Sequence, residues 1–249
     1  SNVLEDSKHS KELLEEHLNK IGWTEKSNKE YCDKFYPNYW EIFNLSTIIE
    51  HSDIFGKMKK EAKKFTIHLF TESQFEASEL LVIAPDHHGL FSLISGLVAS
   101  SGYDVVNAKI ITRSDGYALD TFFIQNKERK PVTEEYLKKR LIKIMFKGLE
   151  GNYNIEEALN IRWEETPARF RAVKAPARVI IDNKTSDFYT IIEVNCKNAP
   201  GVLYRITKII ANLGLQINSA SVSTYGDRVV DIFYVKNMFG SKIDDNLTI

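Results

Sequence analysis

The stretch from residue 196 to residue 235, CKNAPGVLYRITKIIANLGLQINSASVSTYGDRVVDIFYV, decides which fold the chain can adopt. A turn at residues 198–201 (Asn-Ala-Pro-Gly, here turn 2) leads into a run whose apolar residues recur at helical spacing: Val202, Leu203, Ile206, Ile209, Ile210 and Leu213. Gly214 follows this run, and glycine readily adopts the positive φ that ends a helix. Two β-rich runs joined by a tight turn come next: 216–224, Gly226-Asp227 and 228–235. The stretch therefore predicts a helix followed by a β-hairpin.

The same pattern occurs once before, 112 positions upstream. Turn 2 aligns with residues 86–89 (Asp-His-His-Gly, here turn 1), and Gly214 aligns with Gly102. Further pairs follow the same offset, with a one-residue gap in the hairpin: Ala220 with Ala108, Thr224 with Thr112, Asp231 with Asp120 and Phe233 with Phe122. Two copies are fewer than a solenoid requires. The sequence therefore predicts two homologous domains, repeat 1 and repeat 2.

We divide the chain into four parts: a helical segment or linker at 1–64, repeat 1 at 65–151, a connector at 152–176 and repeat 2 at 177–249. Repeat 1 is predicted as strand, strand, helix, strand, strand, helix. Repeat 2 follows the same order, but its last helix should begin near Ile249, so we expect that helix to be missing. The fold class predicted is α+β.

Composition excludes several classes of function. The net charge of the 249 residues is −1, whereas binding to nucleic acid or an anionic membrane usually requires a basic bias. No apolar run approaches the length of about 18 residues needed to span a bilayer, and no secretory signal begins the chain. Cys32 and Cys196 have no metal or redox spacing and suit a reducing compartment. We therefore expect a cytoplasmic protein without nucleic-acid or membrane partners.

Three features of the first 64 residues have a structural interpretation. The aromatic cluster at residues 35–40 could bind a ligand, but packing is the more common role of such a cluster. His51 has no partner at metal-ligand spacing, which favours a structural or surface role. The five lysines between residues 57 and 64 predict a solvated helix face or linker rather than a phosphate site.

Each turn has the chemistry needed to hold a small zwitterion. Gly89 and Gly201 let the backbone approach a ligand closely. The helix that follows offers unpaired N–H groups and a partial positive charge, which suit a carboxylate. Asp86 or Asn198 can accept a hydrogen bond from an ammonium group. An equally good alternative is that Asp86 and Asn198 are plain N-caps that stabilise the helices by about 1 kcal/mol each.

Nearly the whole chain resembles a known arrangement, the paired ACT domains at the C-terminal end of the bifunctional PII uridylyltransferase/uridylyl-removing enzyme family. Four blocks in order carry this resemblance: residues 84–91 (APDHHGLF), 115–122 (DGYALDTF), 177–183 (ARVIIDN) and 225–235 (YGDRVVDIFYV). Residues 37–40 and His51 resemble the segment that joins the HD domain of that family to its ACT pair. Four ordered blocks are far more specific than one Asp-x-x-Gly turn.

The resemblance implies two ferredoxin-like βαββαβ ACT domains, each with an extra leading strand, in a regulatory region that senses glutamine. In that family the ACT pair controls uridylylation and de-uridylylation of the PII signal protein. The whole enzymes need Mg²⁺ for nucleotidyl transfer and an HD metal centre for the reverse reaction. His87-His88 supplies no carboxylate in metal-ligand order. We therefore expect the chain itself to be non-catalytic, without a cofactor or metal of its own.

The resemblance also implies a set of ligand-binding residues. Asp86 or Asn198 would take the ammonium group, backbone N–H groups after the turn the carboxylate, and the start of the next strand a polar group. The candidates are Asp86, His88, Gly89, Leu90, Asp104, Asn198, Gly201, Val202 and Gln216. Two of them depart from the family pattern, because Asn198 replaces an Asp and His88 replaces a Pro.

Other functions stay open at this stage. The pair could be a ligand-free scaffold for dimerisation or PII docking, which the altered turns favour. It could also be the regulatory tail of a different ACT enzyme, although the doubled repeat and Tyr39-Trp40 argue against that. A homodimer through the ACT sheets is a further expectation, because unpaired sheet edges tend to be covered.

Overall fold

The computed structural model describes residues 2–71, 76–166, 176–225 and 228–243. The chain divides into two compact units, the first formed by residues 1–66, 82–86 and 111–119 and the second by 67–81, 87–110 and 120–249. The turn predicted at Gly226-Asp227, connector residues 167–175 and the chain end at Ile249 lie outside the described residues.

The first unit contains four helices: α1 (Asn2–Lys20), α2 (Glu25–Cys32), α3 (Pro37–Ile42) and α4 (Leu45–Lys60). Thr24 and Asn44 cap α2 and α4 by accepting hydrogen bonds from backbone N–H groups of the first turn. Aliphatic side chains of α1 and α4 are fully buried, among them Leu14, Leu18 and Ile48. Burial of this apolar surface is what stabilises the short helices.

Three of the four aromatic residues of the cluster, Phe35, Tyr39 and Trp40, are part of this core, whereas Tyr36 is exposed. Phe35 and Tyr39 stack with their ring centroids 3.8 Å apart, and the Tyr39 hydroxyl lies 3.1 Å from Nδ1 of His51. Tyr39 and His51 are both buried. The structure thus confirms the packing interpretation of the cluster and a structural role for His51.

Arg113 is a buried cation in the same unit. Its guanidinium carbon lies 4.8, 4.5 and 4.3 Å from the ring centroids of Tyr31, Phe35 and Phe55. Its Nε and Nη2 donate to both carboxylate oxygens of Asp115 at 3.0 and 2.9 Å. Burial raises the pKa of Asp115, but the bonds from Arg113 outweigh that effect and the pKa is lowered.

The remaining elements alternate strands and helices. Repeat 1 contains β1 (Thr66–Phe70), β2 (Ser78–Pro85), α5 (Leu90–Ser101), β3 (Asp104–Lys109), β4 (Tyr117–Gln125) and α6 (Glu135–Leu149). The connector contains α7 (Ile155–Glu165). Repeat 2 contains β5 (Arg178–Asp182), β6 (Thr190–Lys197), α8 (Val202–Asn212), β7 (Leu215–Tyr225) and β8 (Arg228–Asn237). These strands form one sheet in the order β1-β2-β4-β3-β7-β8-β6-β5, which confirms the predicted α+β class with ferredoxin-like units.

Strands β3 and β7 join the two repeats in the second unit. They pair antiparallel, with Asn107 opposite Ser221, Ala108 opposite Ala220 and Lys109 opposite Ser219. Ala108 and Ala220 are equivalent under the 112-residue offset, so the pairing has approximate two-fold symmetry about them. The residues of β3 next to Ala108 therefore lie opposite the residues of β7 next to Ala220, and the two repeats contribute equivalent positions to the junction.

Candidate functional site

Turns 1 and 2 share their backbone conformation. Gly89 has φ 84° and Gly201 has φ 73°, and each occupies the N-cap position of the following helix, α5 or α8. A positive φ costs other residues about 1 kcal/mol or more, which explains glycine here. Among the described residues, no side chain caps either helix, so the N-cap alternative for Asp86 and Asn198 is wrong. Asp86 instead accepts a hydrogen bond from the Thr112 hydroxyl at 3.0 Å.

A small cavity lies at turn 2, wholly within the second unit. Its volume is about 30 Å³, the space of roughly one water molecule. Polar residues and a turn glycine from both repeats line it: Ser95, Tyr103 and Asp104 from repeat 1, and Asn198, Gly201 and Asp231 from repeat 2. The cavity therefore depends on both copies of the pattern.

Asp231 on β8 is the unusual member of this wall. Its side chain is fully buried, and its cross-strand neighbours are Val194 on β6 and Val222 on β7. Neither carboxylate oxygen has a hydrogen-bond partner among the described residues. Because it is desolvated without compensation, the pKa of Asp231 is raised to about 7.

Two other polar groups complete the wall. Ser95 is 1% exposed, and its hydroxyl also has no hydrogen-bond partner within the described part of the chain. Asp104 as a whole residue is exposed, although neighbouring atoms surround its carboxyl. Loss of water around its carboxyl raises the pKa of Asp104, opposed by the positive charges of Arg162 and Lys127. Buried polar atoms without partners are uncommon in native proteins, so this cluster calls for an explanation.

A β-bulge explains why the cavity forms at this place. The β3 register shifts between Val105 and Asn107, and pairing with β7 begins only at Asn107. The first residues of β3 are thus not paired with β7, and this gap provides space beside turn 2. Such bulges are frequent next to functional sites. β7 has a shift at the equivalent position, between Ile217 and Ser219.

The surroundings of turn 1 are different. Nε2 of His88 lies 2.5 Å from the carbonyl oxygen of Ala211, near the C-terminal end of α8. Because a carbonyl can only accept, Nε2 must carry the hydrogen. At turn 2 the position equivalent to His88 is Pro200, which has no such group. There the carbonyl of Ala99, equivalent to Ala211, accepts from Nη1 of Arg162 on α7.

Four of the nine ligand-binding residues proposed from the sequence line the cavity: Asp104, Asn198, Gly201 and Val202. The other five do not line it: Asp86, His88, Gly89, Leu90 and Gln216. Asp86 and His88 are exposed and bond to Thr112 and Ala211, Leu90 is buried, and Gln216 is exposed on β7. The ligand-binding roles of all nine residues stay predictions.

Sequence reasoning missed Asp231 and Ser95. Asp231 stands in the run Val229, Asp231, Phe233, Val235, whose members all point to the buried side of β8. A charge within an alternating apolar face is a readable signal, since buried carboxylates are rare unless paired. Nothing in the sequence distinguishes Ser95 from the other serines of α5.

A larger cavity, of about 1200 Å³, lies within the first unit. Its wall includes Trp23, Arg113 and three of the lysines noted above, Lys57, Lys59 and Lys60. All five lysines between 57 and 64 are exposed, as predicted for a solvated face. Lys59 in addition places Nζ 4.0 Å from the Tyr117 ring centroid. The described residues contain no group of three His, Cys, Asp or Glu side chains arranged for a metal ion. They also contain no helix that is long and apolar enough to cross a membrane.

The fold and a family comparison agree on the class of protein. The model described as "ACR family N-terminal ACT domain" matches residues 185–249, which include turn 2, α8 and β8. The chain thus contains an ACT domain, and residues of turn 2 in that domain line the small cavity.

Comparison with curated proteins finds relatives that match nearly the whole chain. A bifunctional uridylyltransferase/uridylyl-removing enzyme of Rhodospirillum rubrum is 39% identical over 94% of this chain and 25% of its own length. Enzymes of the same name from Gluconobacter oxydans and Azospirillum brasilense are 37% and 36% identical, over 95% and 84% of the chain and 25% and 22% of their own lengths. No solved structure was found to match. The chain is therefore a homologue of bifunctional uridylyltransferase/uridylyl-removing enzymes over nearly all of its own length, and it spans about a quarter of the length of these relatives.

Proposed function

We propose that the chain is the amino-acid-sensing part of a bifunctional uridylyltransferase/uridylyl-removing enzyme and that its ligand is glutamine. Binding would occur at the turn 2 cavity and would shift the balance between uridylylation and de-uridylylation of the PII signal protein. The Mg²⁺-dependent transfer is assigned to parts of such an enzyme outside this chain.

One observation carries this proposal, the cluster of unsatisfied polar groups beside the uncapped start of α8. Among the described residues, the side-chain oxygens of Asp231 and Ser95 are buried without hydrogen-bond partners, and no side chain caps the start of the helix. The backbone N–H of Val202 already donates to the carbonyl of Ala199, so the N–H groups of the next residues are the ones available to a ligand. The ammonium group of a free amino acid would pair with the carboxylate of Asp231, and its carboxylate would accept hydrogen bonds from N–H groups at the start of α8. Asn198 and Asp104 then remain for the amide of the ligand side chain.

The ligand would act by favouring one arrangement of the enzyme. A ligand shifts an equilibrium only by its difference in affinity for the two states. A hundredfold preference corresponds to about 2.7 kcal/mol, which a few charge-assisted hydrogen bonds can supply. The cavity wall contains residues of both repeats, so an occupant would contact both at once.

Titration calorimetry of the 249-residue chain with L-glutamine tests the proposal. We expect one ligand per chain, and we expect Asn198→Ala to weaken binding. Asp86→Ala is the matched control, because Asp86 occupies the equivalent position in turn 1 and bonds to Thr112 instead. No heat at millimolar glutamine, or equal effects of the two substitutions, would contradict glutamine binding at turn 2.

A ligand-free scaffold for dimerisation or PII docking is the second candidate. Two observations favour it: the cavity has room for about one water molecule, and His88 already bonds to the end of α8 opposite turn 1. Size-exclusion chromatography of the chain alone and with PII separates the candidates. A complex that forms equally well with and without glutamine would support the scaffold.

A further inference from the structure

The turn 2 cavity contains a carboxyl group whose charged form no positive group of the described residues compensates. Asp231 is fully buried between Val194 and Val222, and both of its oxygens are without a hydrogen bond among the described residues. A buried carboxylate without a partner is costly, because water has been removed and nothing replaces it. The structure therefore contains a place where a cation would be stabilised.

The size of the cavity limits which cation can enter. A volume of about 30 Å³ accommodates one water molecule, and an ammonium group is of similar size. A guanidinium group or a whole amino acid is too large. Solvent-accessible Asp104 is also on the wall, so the remainder of a larger ligand can stay at the mouth.

The second unpartnered group fits the same occupant. The hydroxyl of Ser95 lines the cavity, is buried and can accept a hydrogen bond. An ammonium group has three donors, which suit two carboxylate oxygens and one hydroxyl. The equivalent residue in repeat 2, Thr207, donates to the carbonyls of Leu203 and Tyr204 and so is satisfied within its own helix.

We propose that Asp231 and Ser95 bind the α-ammonium group of the amino acid inside the cavity, with the rest of the ligand at its mouth. This assignment rests on the proposed function, and it makes Asp231 and Ser95, instead of Asn198, the acceptors for the ammonium group. Asn198 and the start of α8 are then available to the carboxylate and side chain of the ligand.

The proposal predicts that protons are released when the ligand binds, which would not happen if Asp231 had only a structural role. Asp231 holds a proton in the empty protein below about pH 7 and must lose it to bind an ammonium ion. The titratable side chains around it are Asp104 and Tyr103 on the cavity wall and Cys196 on β6. Burial and the Asp231 charge raise the pKa of Cys196, so this thiol stays neutral in the same range.

The experiment is calorimetry of the 249-residue chain with L-glutamine and with N-acetyl-L-glutamine, which lacks the ammonium group. Titrations at about pH 6.5 in buffers of different ionisation enthalpy count the protons released. Asp231→Asn keeps the volume of the side chain, Ser95→Ala removes the hydroxyl, and Asp120→Asn is the control at the equivalent position of repeat 1.

We expect Asp231→Asn to weaken glutamine binding by about 10- to 100-fold and to abolish proton release. Ser95→Ala should weaken binding by about 3- to 10-fold, Asp120→Asn should bind normally, and N-acetyl-L-glutamine should not bind. If the wild-type chain binds glutamine but Asp231→Asn binds equally, or if N-acetyl-L-glutamine also binds, this inference is wrong while glutamine sensing stands. If the wild-type chain binds neither ligand, glutamine sensing and this inference are both wrong.

Discussion

Turns 1 and 2 have the same backbone conformation but different side-chain surroundings. At turn 1, His88 bonds to the end of α8, and Asp86 is occupied by Thr112. At turn 2, Pro200 cannot make the first bond, and a cavity is lined by a carboxyl and a hydroxyl that have no hydrogen-bond partner in the part of the chain that the structure describes. A repeated backbone motif therefore does not imply a repeated site. The difference depends on single side chains, which substitutions can exchange or remove.

The largest effect expected is on stability at neutral and alkaline pH. The pKa of Asp231 is raised from 3.8 to about 7 in the folded chain, so the folded state binds one more proton than the unfolded state between those values. The free energy of unfolding should therefore fall as pH rises from about 4 to about 7, by at most about 4 kcal/mol from this group. Asp231→Asn should remove that loss and be the more stable protein at about pH 8.

Urea unfolding of wild type and Asp231→Asn at about pH 5 and about pH 8 checks this. Asp120→Asn provides the comparison in repeat 1, because Asp120 is buried but has an interaction of its own. The same pH dependence in wild type and Asp231→Asn would show that the carboxyl of Asp231 is solvated or paired.

The two turn glycines should differ in their tolerance of a side chain. A Cβ at Gly201 would lie 2.6 Å from Cδ1 of Leu159, whereas a Cβ at Gly89 would meet nothing within 4 Å. Both positions have positive φ, so both substitutions carry backbone strain. We expect Gly201→Ala to cost about 3 kcal/mol and Gly89→Ala about 1 kcal/mol, measured by thermal unfolding. Equal losses would mean that Leu159 moves away freely.

Removal of the His88 ring should have a smaller effect. His88→Ala deletes the hydrogen bond to the Ala211 carbonyl. This bond is exposed, so a water molecule can take the place of the imidazole. We expect a loss of about 1 kcal/mol in the free energy of unfolding and an unchanged affinity for glutamine, because His88 does not line the cavity. A second bound glutamine in this variant would show that His88 alone closes turn 1.

The smallest effect expected concerns the ion pair near turn 2. Nζ of Lys208 on α8 lies 2.5 Å from Oε1 of Glu156 on α7, but both side chains are about half exposed. Repeat 1 has Gly96 at the position equivalent to Lys208, so this pair is another difference between the repeats. Lys208→Ala should cost less than about 0.5 kcal/mol in urea unfolding. A loss above 1 kcal/mol would indicate that the pair holds α7 in place.

Within the two repeats, the sequence was sufficient for the order of elements and for the position of turn 2. Periodic apolar residues and glycines such as Gly89 and Gly201 are local signals, and they located the helices and turns of the repeats to within a few residues, whereas the separate helices of residues 1–64 were predicted only as a helical segment or linker. The cavity depends on non-local facts that no spacing reveals, namely the pairing of β3 with β7 and the bulge at Val105. Asp231 could have been found from its place in an apolar face, whereas Ser95 and Arg113 required the tertiary structure.

The pairing between β3 and β7 has a consequence for mechanics. Three residue pairs join these strands, whereas ten pairs join β7 to β8 within repeat 2. A change in sheet twist at this junction strains few backbone hydrogen bonds, while each repeat keeps its own ladder intact. A small rotation of one half of the sheet against the other would therefore strain few strand-to-strand hydrogen bonds, and the wall of the turn 2 cavity, which includes residues of both repeats, lies where such a rotation would change its shape.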